Sequence, residues 1–370
     1  MPSFNIRSAE FMKSYCLSAL WALTLIALCS CSKDENPVDS PLSYRAEIAV
    51  PFADYADTLR ICTWRNSRRA AYSIAFDDAT RSSHYLVSAP ELEARGLRGT
   101  FNLNTKDIVD WEPWQKLFDK GHELASHGWS HVRMGELDET TLHAEFSRAK
   151  SDLLKLIKGM KEVPSFTFPN GSASPLARAI ALQYHLSARV GGGINAANFS
   201  QEELSRVNGI GVYAPYVESR FEPFIHQVIA KGGWVLFYFH TVSAAGDSGE
   251  TTTPLALFRQ HLDFVKARSD SFWFATQGEV ATYITARTGT ELGCAVKEER
   301  ILAVTLNAPN FREAAETTLS IIVPKPAEWL NHRIVVEEEG AVLSEFGASA
   351  AAQLVCDLPV NKTVWIWARK

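Results

Sequence analysis

The hydrophobic positions of the chain fall into short continuous runs and longer periodic stretches from about residue 64 onward. Short apolar runs predict buried strands at residues 71–76, 99–103, 234–239 and 271–275. Apolar residues at three- and four-residue steps predict helices at residues 89–95, 138–158, 254–267 and 278–286. Strands and helices that alternate over about 220 residues indicate an α/β fold with a parallel sheet, either open or closed as a barrel.

The clearest of these predicted elements is the helix at residues 138–158. One of its faces carries apolar side chains at helical spacing, namely Leu142, Phe146, Ala149, Leu153 and Ile157. Gly159 follows directly, and a glycine at this position is a typical helix stop. We therefore expect an amphipathic helix that ends at this glycine.

The pattern changes after about residue 287, where no further helix is indicated. Strand-like runs separated by turn residues lie at residues 301–306, 319–323, 333–336 and 363–367. Roughly eighty residues of this kind suit a small β-sandwich, which is a common accessory domain of secreted proteins. We therefore predict an α/β domain at residues 64–290 and a β-rich accessory domain at residues 291–370.

The beginning of the chain has the features of an export signal. Residues 17–28 are apolar almost without interruption, and such a run is too short to span a bilayer of about 30 Å. The cysteines that follow resemble the bacterial lipobox, in which a lipidated cysteine becomes the new N-terminus. We predict a signal peptide at residues 1–30, lipidation of Cys31 and a proline-containing tether at residues 31–63. The alternative is a plain signal peptide with incidental cysteines.

A lipid anchor at Cys31 implies a location at a membrane. Acyl chains bind a bilayer stably because each buried CH₂ contributes about 0.8 kcal/mol. Ser32 follows the predicted lipidated cysteine, and serine at this position resembles the sorting signal of Gram-negative outer-membrane lipoproteins. We therefore expect an outer-membrane lipoprotein exposed at the cell surface, with a periplasm-facing protein as the alternative.

Composition and charge narrow the classes of protein that remain. The chain has 370 residues, 46% of them hydrophobic and 21% charged, which is typical of a globular protein. A net charge of −5 without a long Lys/Arg run argues against a nucleic-acid partner. Six cysteines are too few for a disulfide scaffold. A Cys294–Cys356 bridge is the pairing considered for the exported part of the chain, while the oligomeric state stays open.

Three polar clusters follow predicted strands, which is where α/β folds place their active sites. Asp77 and Asp78 come directly after the first strand, and His240 directly after the third. His127 and His131 are spaced so that both imidazoles can reach one ion if the segment turns helically. Each cluster also has a plainer interpretation: a helix cap or turn, a chance pair of histidines, or a solvated strand end.

In this order, and with the turn Pro169-Asn170-Gly171 between them, the clusters resemble those of the polysaccharide deacetylase (NodB-homology) family, carbohydrate esterase family 4. The resemblance covers roughly residues 64–287 and includes weaker landmarks at residues 99–102 and 121–124. It implies a distorted (β/α) barrel with a groove open to glycan chains. It also implies an acetylated glycan as the substrate.

The resemblance assigns roles to the residues that match the family's motifs. Asp78, His127 and His131 match the ligands of a divalent metal, with Zn²⁺ as the default and Co²⁺, Ni²⁺ or Mn²⁺ as alternatives. Asp77 matches the catalytic base, and His240 matches the catalytic acid. The implied reaction is attack of a metal-activated water on an acetyl carbonyl.

Two further positions concern the oxyanion and the base. Asn170 stands at the family's tyrosine position, where its backbone N–H would bind the oxyanion. Thr167 stands where typical members have an arginine that pairs with the base. Arg189 is the candidate to supply that charge, with a surface ion pair as its plainer interpretation. The family's fourth motif, with its aspartate, is not located in this sequence.

These observations favour a metal-dependent deacetylase of an N- or O-acetylated carbohydrate. A second enzyme hypothesis is a non-haem Fe(II) site, because iron also accepts two histidines and a carboxylate, but no jelly-roll pattern runs through the histidine motif. The non-enzymatic alternative is a glycan-binding surface lipoprotein that keeps the barrel and has lost turnover. The intact Asp77 and His240 favour the enzyme, since a binding protein needs neither a base nor an acid.

Overall fold

The computed structural model describes residues 58–78, 81–212, 221–243, 251–297, 301–309, 311 and 317–369. The predicted signal peptide, Cys31 and most of the predicted tether lie outside the described residues. Within the described part of the chain, no helix is both long and apolar enough to cross a membrane.

A parallel sheet forms the centre of the molecule. Its strands are β2 (Ala70–Phe76), β3 (Thr100–Leu103), β4 (Glu123–Ser126), β5 (Ser165–Thr167), β6 (Ser187–Arg189), β7 (Ile210–Gly211), β8 (Trp234–Phe239) and β11 (Phe272–Phe274). They are ordered β6-β5-β4-β3-β2-β8-β7, and β11 pairs with the first half of β2. Every residue of β2 is buried, because a parallel sheet in this class of fold is covered on both faces.

The two edges of this sheet meet near the start of β7. The Val207 N–H donates to the Ala188 carbonyl and its own carbonyl accepts from Val190 N–H, both over 2.9 Å. The segment then continues into β7, which pairs with β8. The result is the distorted (β/α) barrel that the family resemblance implies, and the α/β fold class is confirmed.

Seven α-helices connect or flank the strands. They are α1 (Ala89–Glu93), α2 (Glu112–Asp119), α3 (Glu139–Leu156), α4 (Pro175–Tyr184), α5 (Phe221–Lys231), α6 (Leu255–Lys266) and α7 (Gln277–Gly289), counted in the described residues. A π-helix, His84–Ser88, precedes α1, and a short parallel pair of strands, β9 (Thr241–Ser243) and β10 (Thr252–Pro254), follows β8.

Helix α3 shows how the sequence pattern becomes structure. The Asp138 side chain caps its first turn by accepting the Thr141 N–H over 2.8 Å. All five apolar positions of the predicted stripe are buried. Gly159, shortly after the helix, has a φ of 85°, a left-handed conformation that glycine adopts without a steric cost.

Antiparallel strands form the C-terminal part of the chain. The strands are β12 (Glu291–Lys297), β13 (Ile301–Asn307), β14 (Thr318–Pro324), β15 (Arg333–Glu338), β16 (Ala341–Phe346), β17 (Gln353–Pro359) and β18 (Thr363–Arg369). Five of them form a sheet ordered β12-β13-β18-β15-β16. The other two join β1 (Arg60–Ile61) in a sheet ordered β1-β14-β17, so this part of the fold also uses residues that precede the barrel.

These two sheets enclose an apolar core of their own, to which α7 contributes Tyr283 and Ala286. The two sheets confirm a small all-β part after the barrel. The start of a separate domain at residue 291 stays a prediction. The sequence pattern missed β12, β16 and β17. Cys294 and Cys356 are both free, so the structure does not contain the bridge considered between them.

Candidate active site

The register of the parallel strands brings the predicted site residues to one end of the barrel. Phe76 pairs with Phe239, and the Asp77 N–H donates to the Phe239 carbonyl over 2.8 Å. Asp77 and His240 therefore leave neighbouring strands side by side. His127 follows the end of β4, which is separated from β2 only by β3.

Three side chains at this end lie close enough together to hold a metal ion. One ligand atom from each of Asp78, His127 and His131 lies within 4.8 Å of the others. The Asp78 Oδ1 is 2.9 Å from the His131 Nε2 and 3.5 Å from the His127 Nε2. Burial acts to raise the pKa of Asp78, but the two imidazoles that face its carboxylate outweigh this effect and hold the pKa well below its usual value.

The buried His127 is oriented from behind by the backbone of β5. Its Nδ1–H donates to the Thr167 carbonyl over 2.8 Å, and only 2% of the residue is exposed. This bond assigns the proton to Nδ1 and leaves the lone pair of Nε2 directed towards Asp78 and His131. Thr167, which lacks the charge of the family's arginine, therefore contributes a carbonyl to the site.

The segment from His127 to His131 is a loop and not the helical turn that its spacing suggested. Gly128 has a φ of 81° and His131 a φ of 57°, so two residues of the loop are left-handed. Asp78 is also left-handed, with a φ of 56°. Left-handed backbone is uncommon for residues other than glycine and is found preferentially at functional sites. The two imidazoles converge through these conformations.

Asp77 is buried and hydrogen-bonded through both carboxylate oxygens. Asn102 donates its Nδ2–H to Oδ1 over 2.8 Å, and Arg189 donates from Nη2 to Oδ2. Burial of Asp77 acts to raise its pKa, but the charge of Arg189 in particular lowers it below the usual value. The carboxylate is therefore ionised at neutral pH, as a general base must be.

Arg189 lies inside the barrel, with 2% of the residue exposed, and the surface ion pair considered for it is not what the structure shows. Its Nε–H donates to the Thr167 Oγ1 over 3.3 Å, and its guanidinium carbon lies 4.0 Å from the centre of the Tyr238 ring. A Cβ at Gly209 would come within 2.9 Å of the Arg189 Cδ, so this glycine leaves room for the arginine.

Several residues of this environment were missed by sequence reasoning. Asn102 belongs to a segment noted only as a family landmark, and Gly209 and Tyr238 carry no motif. Asn102 had a signal, because an asparagine in a short apolar strand needs a hydrogen-bonding partner when it is buried. The other two depend on the path of Arg189 across the barrel, which a sequence pattern does not encode.

His240 lies where β8 ends, and its backbone is held by the segment that follows Asp78. The buried His84 donates its Nε2–H to the His240 carbonyl, and Arg81 donates to the Thr241 Oγ1 over 2.7 Å. Burial lowers the pKa of His240, and the charges of Asp77 and Asp78 partly oppose this shift. Burial also lowers the pKa of His84 to about 4, so its imidazole is neutral at pH 7.

Asn170 occupies the centre of the turn Pro169–Gly171, next to the end of β6. It is exposed and left-handed, with a φ of 56°. A Cβ at Gly171 would come within 2.9 Å of the Val190 carbonyl oxygen, so the glycine lets the turn lie against the backbone that follows Arg189. The turn belongs to the same end of the barrel as the other site residues.

Comparison with known proteins agrees with this geometry. Residues 65–188 match the family model described as polysaccharide deacetylase. A chitin deacetylase of Arthroderma benhamiae is 25% identical over 207 residues, which are 53% of this chain and 48% of that protein. The chain thus spans about half the length of this curated relative. Both matches support the enzyme class that the sequence predicts.

Two solved structures resemble the chain more distantly. A Mycobacterium smegmatis protein assigned to the polysaccharide deacetylases is 16% identical, with a TM-score of 0.45, covering 61% of this chain and 94% of that one. A family 4 carbohydrate esterase pseudoenzyme from Bacillus anthracis is 13% identical, with a TM-score of 0.39, covering 57% and 65%.

Proposed function

We propose that this chain is a metal-dependent hydrolase that removes acetyl groups from an N- or O-acetylated polysaccharide or oligosaccharide. The observation that carries the proposal is a buried, arginine-paired carboxylate, Asp77, directly beside a cluster of three metal-ligand side chains. A base next to an open metal site is the arrangement that hydrolysis by an activated water requires.

The ligand cluster fits a divalent ion such as Zn²⁺, Co²⁺, Ni²⁺ or Mn²⁺. Two imidazole nitrogens and one carboxylate oxygen leave positions open for water and substrate. Two ligands about 2.1 Å from a tetrahedral ion lie about 3.4 Å apart. The separations of 2.9 and 3.5 Å from the Asp78 Oδ1 are close to this value. When bound, the ion supplies a Lewis acid that acidifies water and polarises a carbonyl.

In this mechanism Asp77 accepts a proton from the attacking water. Its bonds to Asn102 and Arg189 fix the orientation of the carboxylate, and each oxygen keeps a second lone pair for the incoming proton. His240 donates a proton to the departing nitrogen or oxygen. The backbone N–H of Asn170 stabilises the negative charge that develops on the acetyl oxygen.

Two substitutions test this division of labour in the metal-loaded protein. Acetate release is measured from chitooligosaccharides, peptidoglycan, acetylated xylan and an aryl acetate. Asp77→Asn is expected to lower kcat on all active substrates by about 10²–10⁴ with the metal retained, because each reaction needs an activated water. His240→Ala is expected to spare the aryl acetate, whose leaving group departs without a proton.

The outcomes also separate the enzyme from a glycan-binding protein. A parent protein that binds glycan, holds metal and releases no acetate from any substrate contradicts the proposed activity. An equal loss on N-acetyl sugar and aryl acetate in His240→Ala, with the metal content intact, removes His240 from the role of the acid.

We further propose that Cys31 is lipidated and anchors the protein in the outer membrane, on the strength of the apolar run and the lipobox-like residues before it. Cys31→Ala is expected to block processing or to move the protein out of the membrane fraction, as measured by fractionation and intact mass. Cys29→Ala is the matched control. Unchanged mass and fractionation of Cys31→Ala argue against the anchor.

A further inference from the structure

The buried face of α3 carries a carboxylate among apolar side chains. Glu145 is 6% exposed and lies on the same face as the buried Leu142, Phe146 and Ala149. A carboxylate in such a place is costly unless hydrogen bonds replace the water that it has lost. The function described above does not use this group.

Glu145 is hydrogen-bonded to the loop that joins the two histidine ligands. Its Oε2 accepts the Trp129 N–H over 3.0 Å and the Ser130 N–H over 2.9 Å. Its Oε1 accepts the Ser130 hydroxyl over 2.5 Å. Three donors from two consecutive residues therefore converge on one carboxylate.

The loop depends on such a partner because it is not helical. Between His127 and His131 the left-handed Gly128 turns the chain, so the following amides have no helical acceptors. On the other side, the Lys106 N–H donates to the Trp129 carbonyl over 3.0 Å. The loop is thus held between the backbone after β3 and the side chain of Glu145.

The dependence is mutual. If the loop moved away, the carboxylate would be left buried without its donors, and leaving a buried charge unsatisfied is strongly unfavourable. Conversely, without Glu145 two backbone N–H groups of the loop would lose their acceptor. The conformation that brings His131 back towards His127 and Asp78 is therefore stabilised from α3, which is anchored in the core.

We propose that Glu145 is a positioning residue for the metal centre: it holds the 127–131 loop in the conformation in which both histidines bind one ion. This inference rests on the metal site of the proposed function. Glu145 itself is not one of the three candidate ligands.

The experiment compares three variants in the full chain. Glu145→Leu removes the acceptors and keeps an apolar side chain on the buried face. Glu145→Gln keeps one oxygen for the two amides and an amide group that can donate to the Ser130 hydroxyl. Glu139→Leu is the control on the same helix, because Glu139 is exposed. Folding of each variant is checked by circular dichroism and thermal melting.

Two readouts are independent of catalysis. In the metal-free protein, hydrogen exchange of the Trp129 and Ser130 amides is expected to be faster in Glu145→Leu. Its Kd for Zn²⁺, measured by competition with a chromophoric chelator, is expected to rise about 10–100-fold, as for loss of other groups that orient ligands. Glu145→Gln is expected to stay close to the parent, and Glu139→Leu to match it.

A folded Glu145→Leu with parental amide exchange and parental Zn²⁺ affinity overturns the inference. If Glu145→Leu does not fold, Ser130→Ala takes its place. Loss of one of the three bonds is expected to weaken Zn²⁺ binding about 2- to 10-fold, and unchanged affinity overturns the inference. A parent protein that binds no Zn²⁺ instead refutes the metal centre of the proposed function.

Discussion

At the carboxyl end of the barrel, Asp77, Asn102 and Arg189 are buried polar side chains that bond to one another. The core between the C-terminal strands instead consists of aliphatic side chains, Trp329, aromatic neighbours and the thiol of Cys356. An apolar contact is lost on its own when a residue is truncated, whereas removal of one member of a polar network leaves the others unsatisfied. The two regions should therefore respond differently to substitution.

Left-handed residues differ between the same two regions. In the C-terminal strands they lie in turns, as at Asn331 and Asn361. At the end of the barrel they include the candidate metal ligands Asp78 and His131. In the first case the conformation serves chain reversal, and in the second it directs a functional side chain, which is the usual reason for such conformations at active sites.

Of the substitutions that test this difference between the two regions, Arg189→Met is expected to have the largest effect. The substitution leaves the Asp77 carboxylate buried without its cation and is expected to lower the free energy of unfolding by about 3–5 kcal/mol. Most of the proposed deacetylase activity is expected to be lost as well. The double variant Asp77→Asn/Arg189→Met is expected to regain much of the stability and none of the activity. Chemical denaturation and acetate release measure both properties. If Arg189→Met alone were as stable as the parent, Asp77 and Arg189 would not depend on each other for stability.

A smaller and purely structural effect is expected in the C-terminal core. Ile366 is fully buried there, and Ile366→Ala is expected to lower the free energy of unfolding by about 2–5 kcal/mol without changing kcat/KM of the folded fraction. The matched variant is Ile74→Ala in β2, close to Asp77, which is expected to cost similar stability and also to lower kcat/KM. Equal effects of both variants on kcat/KM would remove the functional distinction between the two regions.

Much of this arrangement follows from local patterns in the sequence. Strand β8 and helix α3 were predicted because an uninterrupted apolar run and a helical stripe each require a buried face. The candidate ligands Asp78, His127 and His131 could be named because the motif order is specific. Their conformations could not be predicted, since the loop between the histidines is stabilised by Glu145, a residue of the following helix α3.

The strands that were missed at the edges of the C-terminal sheet lack a local signal. Strands β12 and β16 are the two edges of the five-stranded sheet, and many of their side chains are exposed, so neither shows a continuous apolar run. Glu145 does have a signal, because it interrupts the apolar face of a helix. That signal shows a buried acid but not its partner, which only the folded chain supplies.

The smallest expected effect concerns acid sensitivity and sharpens the contrast between the regions. Burial lowers the pKa of His185 in the barrel to about 4, and its Nδ1–H donates to the Val163 carbonyl over 2.8 Å. The His185 imidazole takes up a proton near pH 6.5 in the unfolded chain but only near pH 4 in the folded chain. The contribution of the neutral, buried His185 to stability is therefore complete above pH 6.5 and is lost as the pH falls towards 4.

His185→Asn keeps a donor for the Val163 carbonyl and removes the titrating group. Between pH 6.5 and 4 the free energy of unfolding of both proteins is expected to fall, and less steeply in the variant than in the parent. The two slopes are expected to differ by at most about 1.4 kcal/mol per pH unit, because one histidine accounts for one proton. Denaturant unfolding at a series of pH values measures both slopes, with the values at pH 7.5 as the reference. Identical slopes in variant and parent would mean that His185 does not carry this proton linkage. Since His84 and His261 in the barrel also have pKa values lowered by burial, to about 4 and about 3, a residual slope is expected in the variant.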